Sequence, residues 1–150
     1  MSGGEVLTRL LHAIDVLDWP VVRDCLADRL RVDYTELFGG EAEELSGDQL
    51  VTNWRGLLPG FDATQHVTGP VLVTGDGAGP WLDTHVRGYH RIADAPDGPI
   101  WAVHGHYRAR LDGAGRIADL TLQVFYQEGN AGLVELAGRR ATESPRAART

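Results

Sequence analysis

The sequence predicts an α+β fold in which a strongly curved antiparallel sheet wraps around N-terminal helices and leaves a cone-shaped cavity between them. Helical periodicity of apolar residues dominates the first part of the chain, where one short strand also occurs, and a short helix is expected near the end at Leu133-Val134-Leu136. From Asp62 onward the pattern changes to four strand-like segments with short, glycine-rich connections, which favour antiparallel pairing. The 150 residues are enough for one domain that closes a core around a cavity.

Two helices and a strand open the chain. Apolar residues follow the 3.6-residue period over residues 5–17, which predicts an amphipathic helix. Asp18 is suited to cap a second helix and Pro20 to occupy its first turn, and this helix is expected to end near Ala27. Alternating polarity over residues 29–35 then predicts a strand.

A third helix follows an exposed loop. Residues 37–45 contain two consecutive glycines and several glutamates, which is typical of a loop. Ser46 is followed three residues later by Gln49, a spacing that predicts a capped helix start, and Pro59 ends the helix.

The second half of the chain supplies the sheet. Strands are predicted over residues 64–74, 81–93, 100–111 and 116–126. Residues 138–150 have almost no apolar content and are predicted to be a disordered tail, which leaves residues 1–137 as a single domain.

Charge and cysteine content exclude several classes of function. A net charge of −7 argues against nucleic acid and against anionic membrane surfaces as partners. The single cysteine, Cys25, excludes an internal disulfide framework and a thiolate zinc site. The N-terminal residues lack a signal-peptide pattern and no apolar run is long enough to span a membrane, so we expect a cytoplasmic protein.

Ionisable residues in apolar surroundings indicate an acid–base pocket. Asp15 borders the apolar stripe of the first helix, and Tyr34 lies on the apolar face of the first strand. His66, His90 and His104 lie in later strand-like segments. A carboxylate, a phenol and several imidazoles over a small core are suited to proton transfer. The simpler interpretation is a solvated helix acid and a core tyrosine.

Strand parity sorts the histidines into two faces. On the strand at residues 100–111, Ala102, His104 and His106 share one face. The opposite face carries the apolar set Trp101, Val103, Tyr107 and Ala109. Apolarity alone predicts that this second set points inward. On the preceding strand His90 shares a face with Val86, which favours an inward position.

Several short motifs occur in a fixed order between residues 11 and 126. They are Asp15-x-x-Asp18-Trp19, Leu30-Arg31-Val32-Asp33-Tyr34, Thr64-Gln65-His66 and Gly88-Tyr89-His90. In this order and spacing they resemble the nuclear transport factor 2-like superfamily and its SnoaL-like branch, most closely the scytalone dehydratases. The resemblance implies the cystatin-like cone fold and a mostly apolar pocket.

The resemblance also implies site residues. In that family a helix aspartate pairs with a strand histidine, and Asp15 is similar to that aspartate. Tyr34 is similar to one of the family's tyrosines, and His66 is similar to another of its histidines. The family's histidine partner of the aspartate has no counterpart here, so Asp15 is expected to contact His104 or His90, and the base that it orients is expected to be His66 or His104. The family pattern places Ala102 and His104 on the cavity side, in conflict with parity. Substrate contacts are expected from Trp54, Val86, Ala102 and Phe125.

The implied function is that of a cofactor-independent lyase or isomerase, most simply a dehydratase, acting on a small cyclic or polyketide-like substrate. A SnoaL-type cyclase and a non-enzymatic binding or assembly module of the same fold are the alternatives. A small-molecule substrate and a homo-oligomer, dimer or trimer, are the expected partners. His104-x-His106 has acceptable metal geometry, but a second nearby carboxylate is missing, so no metal is expected.

Overall fold

The computed structural model describes residues 3–75 and 79–149 and confirms the predicted α+β class. The helices are α1 Gly3–Val16, α2 Trp19–Cys25, α3 Thr35–Phe38, α4 Gly47–Arg55 and α5 Leu133–Glu143, with a 3-10 turn at Leu58–Gly60. The strands are β1 Leu26–Asp33, β2 Glu43–Ser46, β3 Ala63–Thr68, β4 Leu72–Thr74, β5 Trp81–Arg91, β6 Ile100–Leu111 and β7 Ile117–Gly129.

The strands form one curved sheet in the order β2-β1-β7-β6-β5-β3, with β4 pairing on β5. The antiparallel meander β5-β6-β7 confirms the pairing expected from short connections, whereas β1 lies parallel to β7. Register shifts between β6 and β7 lie at His104/Gly105 and at Arg110/Leu111. Such irregularities increase local twist and bend the strands, which helps the sheet to wrap around the helices.

Helix α1 fills the concave side of the sheet. Its apolar stripe is buried in a single core with residues of β5, β6 and β7. The stripe residues are Leu7, Leu10, Leu11 and Ile14. Leu17 takes a left-handed backbone conformation with φ of 58° and ends the helix just after Asp15. Helix α1 packs against β3, and its last turn lies beside that strand.

Two helix starts follow the chemistry predicted from the sequence. The Val21 N–H donates to Asp18 Oδ1 at 3.3 Å, which caps α2. At α4 the Gln49 N–H donates to Ser46 Oγ at 3.0 Å, and the Ser46 N–H donates to Gln49 Oε1 at 2.8 Å. This reciprocal pair satisfies two N–H groups that a helix end leaves free.

Several predicted segments differ from the structure. The second helix ends at Cys25 rather than near Ala27, and the strand expected over residues 29–35 runs from Leu26 to Asp33, so Tyr34 follows it and begins α3. The single strand expected over residues 64–74 is divided into β3 and β4, because Gly69-Pro70 interrupts the ladder and proline has no N–H to donate. The loop expected over residues 37–45 contains the end of α3 and the start of β2.

The predicted disordered tail is instead folded onto the body over its described part. Helix α5 runs past Gly138 to Glu143, and the Arg140 guanidinium contacts the Asp62 carboxylate at 2.7 Å. The Arg146 and Arg149 N–H groups donate to the carbonyls of Pro59 and Val16, each at 2.9 Å. Polar contacts therefore compensate for the low apolar content on which the prediction rested. Among the described residues no helix has the length and apolarity needed to cross a membrane.

Candidate active site

A cavity of about 290 Å³ lies between the inner face of the sheet and the helices α3 and α4. Its volume is at the lower end of the range of about 300–1,000 Å³ that is usual for small-molecule sites. Apolar side chains dominate the lining, and a few polar groups interrupt them. The buried or half-buried polar side chains of the lining include Tyr34, His66, His90 and Tyr107.

An aspartate–histidine pair lies in the wall of this cavity. The Asp15 carboxylate, at the end of α1, accepts a hydrogen bond from His66 Nδ1 at 2.7 Å and one from the His66 backbone N–H at 2.7 Å. Thr64 Oγ1 donates a third at 2.9 Å. Because an ionised carboxylate can only accept, Nδ1 carries the proton and the neutral ring keeps a lone pair on Nε2. His66 lines the cavity, so Nε2 is positioned to act as a base.

The Asp15 carboxylate is held in its ionised form. Burial acts to raise its pKa, but the contacts with His66 and the hydroxyl of Thr64 outweigh burial, so the pKa of Asp15 lies below its ordinary value. Both side chains of the pair are largely enclosed, with 15% of Asp15 and 11% of His66 exposed. A buried anion beside Nδ1 fixes the tautomer and the orientation of the ring, which leaves the lone pair on Nε2 free.

A second imidazole beside His66 stays neutral. His90 Nδ1 donates to the Trp101 carbonyl at 3.0 Å, and its ring lies 4.4 Å from the Trp101 ring and 5.0 Å from Phe61. The His66 and His90 ring centroids are 5.9 Å apart. Burial, with the neighbouring His66, lowers the pKa of His90 to about 4. At neutral pH the Nε2 of His90 can therefore only accept a hydrogen bond.

Two phenols form the polar group on another wall. The Tyr34 and Tyr107 hydroxyl oxygens lie 2.9 Å apart. Burial raises the pKa of Tyr34 well above its ordinary value and that of Tyr107 to about 12, so both stay protonated. One hydroxyl donates to the other, which leaves the accepting hydroxyl with its own proton available for a ligand oxygen.

Residues 4–114 match the family model described as a SnoaL-like domain. The chain belongs to the SnoaL-like family. This family is part of the nuclear transport factor 2-like superfamily, as the motifs predict.

Solved structures share this SnoaL-like fold. The Kfla4162 protein from Kribbella flavida is 25% identical, with a TM-score of 0.79 over 87% of this chain and 93% of that one. A protein from Novosphingobium aromaticivorans named as a candidate scytalone dehydratase is 14% identical, with a TM-score of 0.69 over 84% and 83%. The epoxide hydrolase/cyclase-like enzyme SalBIII, of salinomycin pyran-ring formation, is 8% identical, with a TM-score of 0.65 over 85% and 95%.

The SnoaL-like cavity brings together most of the side chains predicted from the sequence. Tyr34, Trp54, His66, Val86 and His90 line it, and Asp15 lies directly behind His66. The roles assigned to them in catalysis and substrate contact remain predictions. The expected pairing of Asp15 with His104 or His90 is wrong, because the end of α1 packs on β3, where His66 is the adjacent imidazole.

Three predicted site residues lie outside the cavity, on the opposite face of the sheet. His104 stacks on Tyr126 with ring centroids 4.2 Å apart, and its Nε2 lies 2.7 Å from Glu128 Oε1 without hydrogen-bond alignment. Ala102 shares that face of β6, and Phe125 is 57% exposed. Strand parity is therefore right, and the inward placement of Ala102 and His104 implied by the family pattern is wrong.

Tyr107, Trp101 and Val103 line the cavity, although no role is predicted for them from the sequence. Strand parity places these three residues together on the inward face, and this was the feature of the sequence that could have identified them as lining residues. The apolar neighbours of Tyr107 made it look like a core residue. Its phenol is a second hydroxyl beside Tyr34.

On the outer face, both ring nitrogens of His106 are engaged by protein groups. His106 Nε2 lies 2.9 Å from Asp83 Oδ1, and its Nδ1 lies 3.0 Å from Gln123 Oε1. Among residues 3–75 and 79–149, no three His, Cys, Asp or Glu side chains are grouped as ligands of a metal ion.

Proposed function

We propose that this protein is an acid–base enzyme that moves a proton at a carbon next to a carbonyl group in a small cyclic molecule, with dehydration or isomerisation as the outcome. The observation that carries the proposal is the Asp15–His66 pair, with Nε2 of His66 directed at an apolar cavity. A positioned base in a mostly apolar cavity is the arrangement that such a reaction needs.

The first step is removal of a proton from carbon. The Nε2 lone pair of His66 takes the proton, and the electron pair of the C–H bond moves toward the carbonyl oxygen to form an enolate. Asp15 stays ionised, holds the Nδ1–H and stabilises the imidazolium that results.

The phenol pair stabilises the enolate oxygen. The free O–H group of Tyr34 or Tyr107 donates a hydrogen bond to the enolate oxygen as negative charge develops there. A hydrogen-bond donor fixed in a site of low dielectric stabilises charge more strongly than water does.

The imidazolium completes the reaction by returning its proton. If the substrate carries a hydroxyl on the β carbon, the proton goes to that hydroxyl, the enolate electrons form a double bond between the α and β carbons as the C–O bond breaks, and water leaves, which is dehydration. If it instead carries a β,γ double bond, the proton goes to the γ carbon and the double bond moves next to the carbonyl, which is isomerisation. His66 ends neutral in both cases, so no cofactor enters the balance.

Exchange of α-protons tests the proposal without knowledge of the natural substrate. We expect the protein to accelerate deuterium incorporation next to the carbonyl of 1-tetralone in D₂O, followed by proton NMR. His66→Asn should reduce the acceleration by about 10²–10⁴. Equal rates with wild type and His66→Asn would contradict the proposal and favour a binding module.

A further inference from the structure

The charged groups that line the cavity are unevenly distributed. Among the described lining residues, the only formally charged side chains are Glu41 and Glu43, and no lysine or arginine is present. Both glutamates are exposed, so they lie at the solvent end of the cavity. A molecule that enters must therefore pass two carboxylates.

The inner part of the cavity offers nothing to neutralise an anion. His66 is already paired with the Asp15 carboxylate, and His90 is neutral at physiological pH. The other polar side chains of the described lining are the two phenols, Thr35, whose hydroxyl donates to Asp33, and the exposed Asn53, and none of them is a cation. Burying a carboxylate or phosphate there without a cation would be costly.

We propose that this site selects an uncharged, compact ring compound, and that Glu41 and Glu43 turn away molecules with a carboxylate or phosphate group. The carbonyl in that compound rests on the proposed function, whereas the charge selection rests on the lining alone.

Tryptophan fluorescence provides a binding measurement that does not need catalysis, because Trp54 and Trp101 line the cavity. The probes are 1-tetralone, the methyl ester of 6-carboxy-1-tetralone, and the corresponding carboxylate. The ester and the carboxylate are similar in size and differ in charge. At low salt we expect the ester to bind at least about tenfold more tightly than the carboxylate.

Replacing the mouth carboxylates should weaken this discrimination. In the double variant Glu41→Gln/Glu43→Gln the preference for the ester should fall by at least about threefold, as it should at high salt in the wild type. The matched control is Glu135→Gln/Glu143→Gln, which removes the same charge from exposed positions on α5 and should leave the preference unchanged.

Several outcomes would overturn this inference. They are equal binding of ester and carboxylate, the same effect from the control variant as from the mouth variant, and failure of the neutral probes to quench fluorescence. His66→Asn separates the two proposals, because it should abolish exchange and keep the preference for the ester. If exchange is absent in the wild type but the preference is present, only the proposed function fails.

Discussion

Gly88 gives the two inner imidazoles their space. It pairs with His66 across β3 and β5, and a Cβ atom there would lie 3.3 Å from His66 Nε2 and 3.4 Å from His90 Cε1. Gly88→Ala should displace both rings by a few tenths of an ångström and lower the exchange rate by about 10- to 100-fold. Gly69→Ala is the control, because a Cβ at Gly69 meets no atom within 4 Å. Equal rates in the two variants would contradict this role of Gly88.

The two phenols are expected to act as one unit. Tyr34→Phe removes a hydroxyl but keeps the ring, and its cost in turnover should be about 10²–10³, the usual loss for one oxyanion donor. Tyr107→Phe should have a loss of similar order, because each hydroxyl orients the other across 2.9 Å. Steady-state kinetics of the double variant should show less than the product of the single losses. Full turnover in both single variants would remove the phenols from the mechanism.

His90 should make stability depend on pH. Its pKa of about 4 in the folded state lies below the unfolded value, so the unfolded state binds more protons as the pH falls. The contribution of neutral His90 to the free energy of unfolding, on the order of 3 kcal/mol, is therefore complete above about pH 6.5 and is lost as the pH falls toward 4. Chemical denaturation between pH 4.5 and 7.5 should show a shallower dependence for His90→Phe than for wild type. Parallel curves would contradict a neutral, buried His90.

At the scale of elements, the C-terminal segment supports the helix that carries Asp15. The Val16 carbonyl at the end of α1 accepts from the Arg149 N–H, and Leu133 and Ala137 of α5 are fully buried. Removing residues 139–150 deletes the backbone hydrogen bonds of Arg146 and Arg149 to the body, together with the Arg140–Asp62 ion pair. We expect the melting temperature to fall by about 5 °C or more.

Two arginine variants distinguish a specific contact of this segment with the body from a general effect of its positive charge. Arg140→Gln should lower the melting temperature, whereas Arg139→Gln, whose side chain is 61% exposed, should not. An unchanged melting temperature in the truncated chain would restore the sequence-based expectation that the segment is dispensable.

Local rules predicted most of the elements. The capping residues Asp18 and Ser46 begin α2 and α4, and β6 spans the predicted residues 100–111. The folded tail was not predictable from composition, because its stability comes from distant partners such as Asp62 and Pro59. The partner of Asp15 was missed for a related reason: it depends on which strand the end of α1 meets, a tertiary contact that periodicity does not encode.

At the scale of the whole molecule, the topology assembles a site from distant parts of the chain. His66 follows Asp15 by 51 residues, and Tyr107 follows Tyr34 by 73. The parallel pairing of β1 with β7 places Tyr34, which follows β1, next to the meander that carries Tyr107. The outer face of the sheet exposes Phe125 and Tyr126 by more than half, and assembly through this face stays a prediction.

The most direct test of the central claim is a double-mutant cycle on proton exchange. The α-deuterium exchange of 1-tetralone is measured with wild type, Asp15→Asn, His66→Asn and the double variant, after melting temperatures establish that each is folded. If Asp15 acts through His66, each single variant should lose about 10²–10⁴, and the double variant should lose little more than His66→Asn alone. Single losses that multiply in the double variant, or no loss in His66→Asn, would contradict an Asp15–His66 base.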